Sequence, residues 1–149
     1  MAQVNTMGEP TLRADGGYQR FTSTDAAAND SDKTITVPAN QTWSVGNIFV
    51  TNVTSADVGN RQISVIITDP DSVQLGNLKA DSTQAASTTE YYNASPAAGI
   101  AVEGPAGYHF MTLPAFVLDA GCTIRVYDSA AVAATADDMT VTVTGRCYH

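Results

Sequence analysis

The chain has 149 residues, only 15% of them charged, with a formal net charge of −8 and an isoelectric point near 4.3. That length suffices for one well-buried core and is short for two ordinary domains. The seven basic residues are scattered singly, which opposes any role that grips phosphate through clustered Lys and Arg, so nucleic acid is not an expected partner. No stretch reaches the roughly 20 apolar residues of a membrane-spanning helix.

Residues 1–32 are polar and turn-rich, with Gly16-Gly17 and the low-complexity piece TDAAANDSD, and read as an N-terminal arm. Its apolar anchors are Leu12, Tyr18 and Phe21. These are too few to offset the ordering entropy by themselves, so the arm is expected either to fray or to order on a neighbour. The first residues lack the basic start and apolar block of a secretory signal, which makes a cytoplasm the expected place of synthesis.

From Lys33 the pattern changes to short strands. KTITV puts Ile35 and Val37 on one face, PANQ supplies a turn, and TWSVGNIFVTNV opens with Trp43 and Val45 facing one way. After Gly46-Asn47 the apolar parity moves to Ile48 and Val50. A bulge at Gly46 explains that shift better than a Gly-Asn hairpin, which leaves a first strand of about four residues. RQISVIITD then aligns Ile63, Val65 and Ile67. In TDPDS the Asp69 and Asp71 pair has the spacing of calcium ligands, but a proline between two aspartates at a strand end reads as a turn.

Gly76 to Gly107 is too long for a structureless loop inside a compact domain. Short strands are expected at TTEYYN and GIAVE, unless the whole excursion packs on another subunit. Tyr91 and Tyr92, set among small residues, are candidate contact anchors, against the plainer reading in which one of them fills the core. YHFMTLPAFVL, CTIRVYD and MTVTVTGRCYH complete the series, and Pro114 marks an edge, a bulge or a break between two strands. Six or more such strands give an all-β fold, a sandwich or barrel, over residues 33–149.

The best candidate for chemistry is the adjacent pair Asp137-Asp138, at the end of the alanine-rich run SAAVAATADD. If CTIRVYD and MTVTVTG are neighbouring antiparallel strands, this run is a long connection with about one helical turn. Its framing aspartates then satisfy turn amides at a solvated rim. Paired carboxylates in catalysis must face a common pocket, whereas adjacent strand residues point to opposite faces, so the rim is the favoured reading. His109 is the one plausible base for a Ser/His/Asp triad built from distant residues; His149 is terminal, and no His/Cys cluster has zinc spacing. Nucleophile-elbow, phosphate-loop and H-E-x-x-H motifs are absent. Cys122 and Cys147 both share parity with apolar residues. A symmetric hairpin brings them within a diagonal step, but two buried free thiols are preferred to a disulfide. No enzyme activity, cofactor or metal is therefore expected.

KTITVPANQTW, followed by LPAFVLDAGCTIRVYDSAAVAATADDMTVTVTG, resembles the small β-sandwich virion proteins of tailed bacteriophages, in particular capsid decoration (cement) and minor head or tail proteins. The resemblance covers roughly residues 33 to 145. It implies an antiparallel, jelly-roll-like sandwich that forms a homo-oligomer, often a trimer, and binds the major capsid protein on the outer surface of the head after synthesis in the host bacterium. A tail, collar or fibre component is the neighbouring alternative. A carbohydrate-binding sandwich, with Trp43, Tyr91, Tyr92 and Tyr108 as stacking faces, is the alternative from another class.

Overall fold

The computed structural model describes residues 19–96 and 106–149. Wherever these alternate apolar with polar side chains they form strands: β1 (Gln19–Asp25), β2 (Asp32–Thr36), β3 (Thr42–Val53), β4 (Ile63–Thr68), β5 (Gln74–Lys79), β6 (Thr89–Ser95), β7 (Tyr108–Thr112), β8 (Val117–Leu118), β9 (Thr123–Asp128) and β10 (Asp138–Tyr148). No helix occurs among the described residues.

The strands make two sheets, ordered β1-β10-β3-β6-β7 and β2-β9-β4-β5, with β8 pairing β3. Both β7 and β8 lie in the connection between β6 and β9. Without them the other eight strands run first-eighth-third-sixth and second-seventh-fourth-fifth, the interleaved Greek keys of a jelly roll. The sandwich is not purely antiparallel, because β6 and β7 run parallel. A parallel pair needs a crossover of about a dozen residues, and residues 96–107 supply that length.

The core lies between the sheets. It is filled by the alternate residues that the sequence aligns: Ile35, Trp43, Val45, Ile48 and Val50, Ile63, Val65 and Ile67, Ile124 and Val126, and Met139, Val141 and Val143. The bulge falls where parity predicts it: Thr144 pairs with Asn47 and Gly145 with Val45, which leaves Gly46 as the extra residue. Pro114 sits in the break between β7 and β8.

Of the segment expected to be an arm, the described part, residues 19–32, belongs to the sandwich. Gln19–Asp25 is β1, paired with β10 along its whole length, and Phe21 is a core residue stacked on Trp43 at 4.0 Å. The piece TDAAANDSD ends β1 and turns into β2 around the buried Lys33. Its ammonium donates to the Ala27 carbonyl at 2.6 Å and lies 3.7 Å and 3.6 Å from the Asp25 and Asp30 carboxylates. Residues 1–18, with Leu12 and Tyr18, and the expected strand GIAVE lie outside the described residues.

The hairpin expected between CTIRVYD and MTVTVTG does not form. β9 pairs with β2 and β4, and β10 with β1 and β3, so the two strands bury their apolar faces against each other from opposite sheets. The alanine-rich run crosses the end of the sandwich between them. Cys122 and Cys147 are accordingly buried free thiols, and desolvation pushes both above their ordinary pKa.

Candidate functional site: the outer face of the larger sheet

Both outer faces of the sandwich carry charge, but they arrange it differently: on the larger sheet Arg20, Arg146 and Asp138 stand at its ends. On the smaller sheet, Arg125 of β9 grips Asp32 of β2 through Nε and Nη2 at 2.8 Å and 2.5 Å, and its guanidinium lies 4.5 Å from the centre of the Tyr127 ring. Exposed Lys79 of β5 lies on the same face, which is polar and suits water. On the larger sheet two residue rows cross the outer side. One runs Thr24, Thr142, Phe49, Asn93, Phe110, and the other Thr140, Thr51, Tyr91, Tyr108. Neither row contains a charge.

Pairing in register brings the aromatic rings of this face together. Phe49 and Tyr91 stack at 6.2 Å between centroids, and Tyr91 and Tyr108 at 4.5 Å. Such pairs add about 0.5–1.5 kcal/mol to their area burial. Tyr108 and Phe110 remain 38% and 36% exposed on β7, the edge strand. The threonines give the rest of the face short hydroxyls, as where Thr24 and Thr142 meet at 3.2 Å. Charge depletion combined with aromatic enrichment is the compositional mark of an interface core.

Of the candidate contact residues, Tyr91 lies on this face. Tyr92 does not: it is 0% exposed in the core, stacked on His109 at 4.8 Å, and burial raises its hydroxyl pKa first, with Glu90 adding to the effect. Phe21 is likewise taken up by the core. Neither offers a surface to a partner. Trp43 is 3% exposed, with its Nε1 donating to Gln41 Oε1 at 2.8 Å, so the carbohydrate reading loses two of its four stacking faces. Phe49 and Phe110 were missed, although their opposition to Ile48, Val50 and Met111 along the alternation marks them as outward-facing.

Asp137 is not at a solvated rim but buried in an ion pair. Arg61 donates to it from Nε at 2.8 Å and Nη2 at 3.0 Å, the Ser55 amide donates at 2.8 Å, and both charged side chains are 0% exposed. Arg61 Nη1 also donates to the Asp57 and Gly59 carbonyls, at 2.8 Å and 2.7 Å. This clamp ties the loop after β3 to the start of β10. Asp128 behaves as a strand-end aspartate should, accepting from the amides of Gln62, Ala130 and Val132. It holds a loop in which Ala131 and Ala133 adopt left-handed backbone, with φ of 53° and 48°. Asp69 accepts from the Asp71 and Val73 amides, completing the expected turn.

His109 has partners that the sequence did not reveal. Its Nδ1 meets Ser82 Oγ at 2.8 Å, and its Nε2 meets Glu90 Oε2 at 2.7 Å. The Tyr92 hydroxyl donates to the same carboxylate oxygen at 3.2 Å and also lies 3.3 Å from Gln84 Oε1. Buried Asn52 reaches Gln84 Oε1 through Nδ2 at 2.8 Å. Serine, imidazole and carboxylate follow one another as in a nucleophile relay. Here the chain of bonds continues into the sandwich and fixes the β5–β6 connection and edge strand β7 to its interior.

No family model matches the chain, and no curated protein does. Solved structures overlap it loosely, and viral capsid proteins are among them. Infectious bursal disease virus, Gx strain, gives a TM-score of 0.40 at 13% identity over 87% of this chain and 35% of that one. Turnip yellow mosaic virus gives 0.38 at 10% identity over 100% of this chain and 89% of that one. An agarase, AgWH50C, gives 0.39 at 12% identity over 97% of this chain and 24% of that one. This chain therefore spans well under half the length of the virus protein of the Gx strain and of the agarase. Likeness at this level bears on neither activity nor partners.

Proposed function

We propose that the chain is a structural component of a bacteriophage virion, a capsid decoration protein that binds the outside of the head and adds binding free energy across capsomer joints. The observation that carries this reading is the uncharged aromatic stretch in the middle of the larger sheet's outer face. A chain of net charge −8 keeps two rows of its larger sheet free of charge and stacks Phe49, Tyr91 and Tyr108 there. Repetition over a shell multiplies modest contacts of this kind through avidity. In the same reading the protein catalyses no reaction, and the Ser82–His109–Glu90 relay is an internal tie.

Sedimentation of the purified chain with assembled phage heads tests the proposal. Saturable binding to shells is expected, with a fixed number of copies per particle and at least about tenfold weaker association with isolated capsid subunits, as avidity requires. Equal binding to subunits and shells, or none to either, rejects the decoration role. A copy number matching the tail or a single vertex moves the protein to that part of the particle.

A further inference from the structure

β7 ends the larger sheet beyond β6, and the hydrogen bonds that flank this parallel pair fix which way its backbone turns. The Gly107 carbonyl accepts from the Tyr91 amide at 2.8 Å, and the Leu113 amide donates to the Ser95 carbonyl at 3.1 Å. Alternate residues of a strand face the same neighbour, so His109 and Met111 turn their backbone to β6 as Gly107 and Leu113 do. Tyr108, Phe110 and Thr112 turn theirs away, and among the described residues no strand pairs on that side. An unpaired row of amides and carbonyls is a template for another chain.

The other strands that end a sheet are guarded by charge, a common protection of an edge. β1 carries Arg20 and Asp25, β2 carries Asp32 and the inward-pointing Lys33, and β5 carries Lys79. β7, YHFMT, has no Asp, Glu, Lys, Arg or Pro. Its His109 is bonded to Ser82 and Glu90, and its Met111 is buried in the core. The edge is thus held in place before anything pairs with it, which lowers the ordering cost of association.

We propose that β7 pairs antiparallel with β7 of a second copy, about a twofold axis at Phe110. In that register Phe110 lies opposite Phe110 and Tyr108 opposite Thr112, and each outward amide of one copy meets an outward carbonyl of the other. The strand is its own complement. Two chains of net charge −8 repel each other as wholes, but this contact sets no like charges across the strand pair, and it adds a cross-strand aromatic pair. It also joins the uncharged rows of both copies into one wider face. A twofold contact uses the same patch on both partners and closes at two copies, so the open edge disappears without filament growth. The pairing goes beyond the docking role proposed above and does not depend on it.

Sedimentation equilibrium of the full chain is expected to give a mass that rises with concentration to twice the 15.6 kDa of one copy. Phe110→Lys sets like charges across the axis, at an exposed side chain whose amide takes no part in the β6 pairing. It is expected to weaken the dimer by about tenfold or more. Hydrogen exchange on the parent chain gives a reading free of any substitution: the amides of Tyr108, Phe110 and Thr112 should be protected in the dimer and exchange freely once dilution yields monomer. The pairing is overturned by a chain that stays monomeric at millimolar concentration, by a trimer, by a Phe110→Lys dimer as tight as the parent, or by a dimer whose edge amides exchange as fast as those of the monomer. A monomer that sediments with assembled heads removes the pairing and leaves the docking role standing, and a dimer that ignores them does the reverse.

Discussion

Arg61→Ala is expected to lower the unfolding free energy by about 3–5 kcal/mol, the cost of leaving a buried charge without its partner. Asp137 then keeps only the Ser55 amide and side chain, inside a site from which water is excluded. The carbonyls of Asp57 and Gly59 lose their donor in the same step. For a domain whose whole stability lies in the range of about 5–15 kcal/mol, this is a large fraction. Urea unfolding followed by circular dichroism measures it as a drop in midpoint at unchanged slope. A shift below about 0.5 kcal/mol, ordinary for surface substitutions, would show that the clamp is not holding the loop.

The clamp also fixes how stability responds to acid. Burial pushes the Asp137 carboxyl up, but the Arg61 hydrogen bonds, the Ser55 groups and the Arg61 charge outweigh it and hold the carboxyl below its ordinary value. A group with a depressed native pKa contributes fully above its unfolded pKa, near 3.9 for aspartate, and loses that contribution as pH falls through the native value. The parent should therefore lose stability in that acid window, and Asp137→Asn should flatten this part of the profile from a lower starting point.

Trp43→Ala is expected to cost about 3–5 kcal/mol through lost burial and the cavity left behind. The indole is 3% exposed and stacks on Phe21, so its removal also loosens β1 against the sheet. Gln41 Oε1 loses its indole donor as well. A tryptophan serving as a sugar-stacking platform would be dispensable for folding, and its removal would leave the urea midpoint nearly unchanged. The same melt thus separates the core role from the carbohydrate-binding alternative.

Local alternation carried most of the fold. Ile63, Val65 and Ile67 are core residues because the period-two pattern admits no other arrangement. The Gly46 bulge was legible for the same reason, as a break in parity that a strand cannot otherwise absorb. β1 and β5 were not legible. QRFTSTD offers one apolar anchor, and its pairing with β10 spans most of the chain. QLGNLK hides its packing in a glycine: a Cβ at Gly76 falls 2.5 Å from the Phe116 ring, so the missing side chain makes room for an aromatic from another segment.

The candidate site divides in the same way. The outward orientation of Phe49 and Phe110 follows from alternation, but Phe49 meets Tyr91 through the distant β3–β6 pairing, and Tyr108 and Phe110 join the face through a parallel β6–β7 pairing that no local pattern announces. Asp137 was misjudged because its partner stands far away in sequence, on the loop after β3. Placing β10 beside β9 conceals that neighbour, and placing it beside β3 reveals it. The partners of His109 were hidden likewise, since Ser82 and Glu90 reach it only once β7 lies along β6.

Hydroxyl-radical footprinting of the chain, free and bound to assembled heads, tests most directly whether the uncharged rows of the larger sheet are what touches other proteins. Tyr108 and Phe110 should oxidise more slowly in the bound state, while Tyr127, on the opposite sheet beside Arg125, should oxidise at the same rate in both. Protection of Tyr127 with Tyr108 and Phe110 unchanged would assign docking to the smaller sheet and contradict this account.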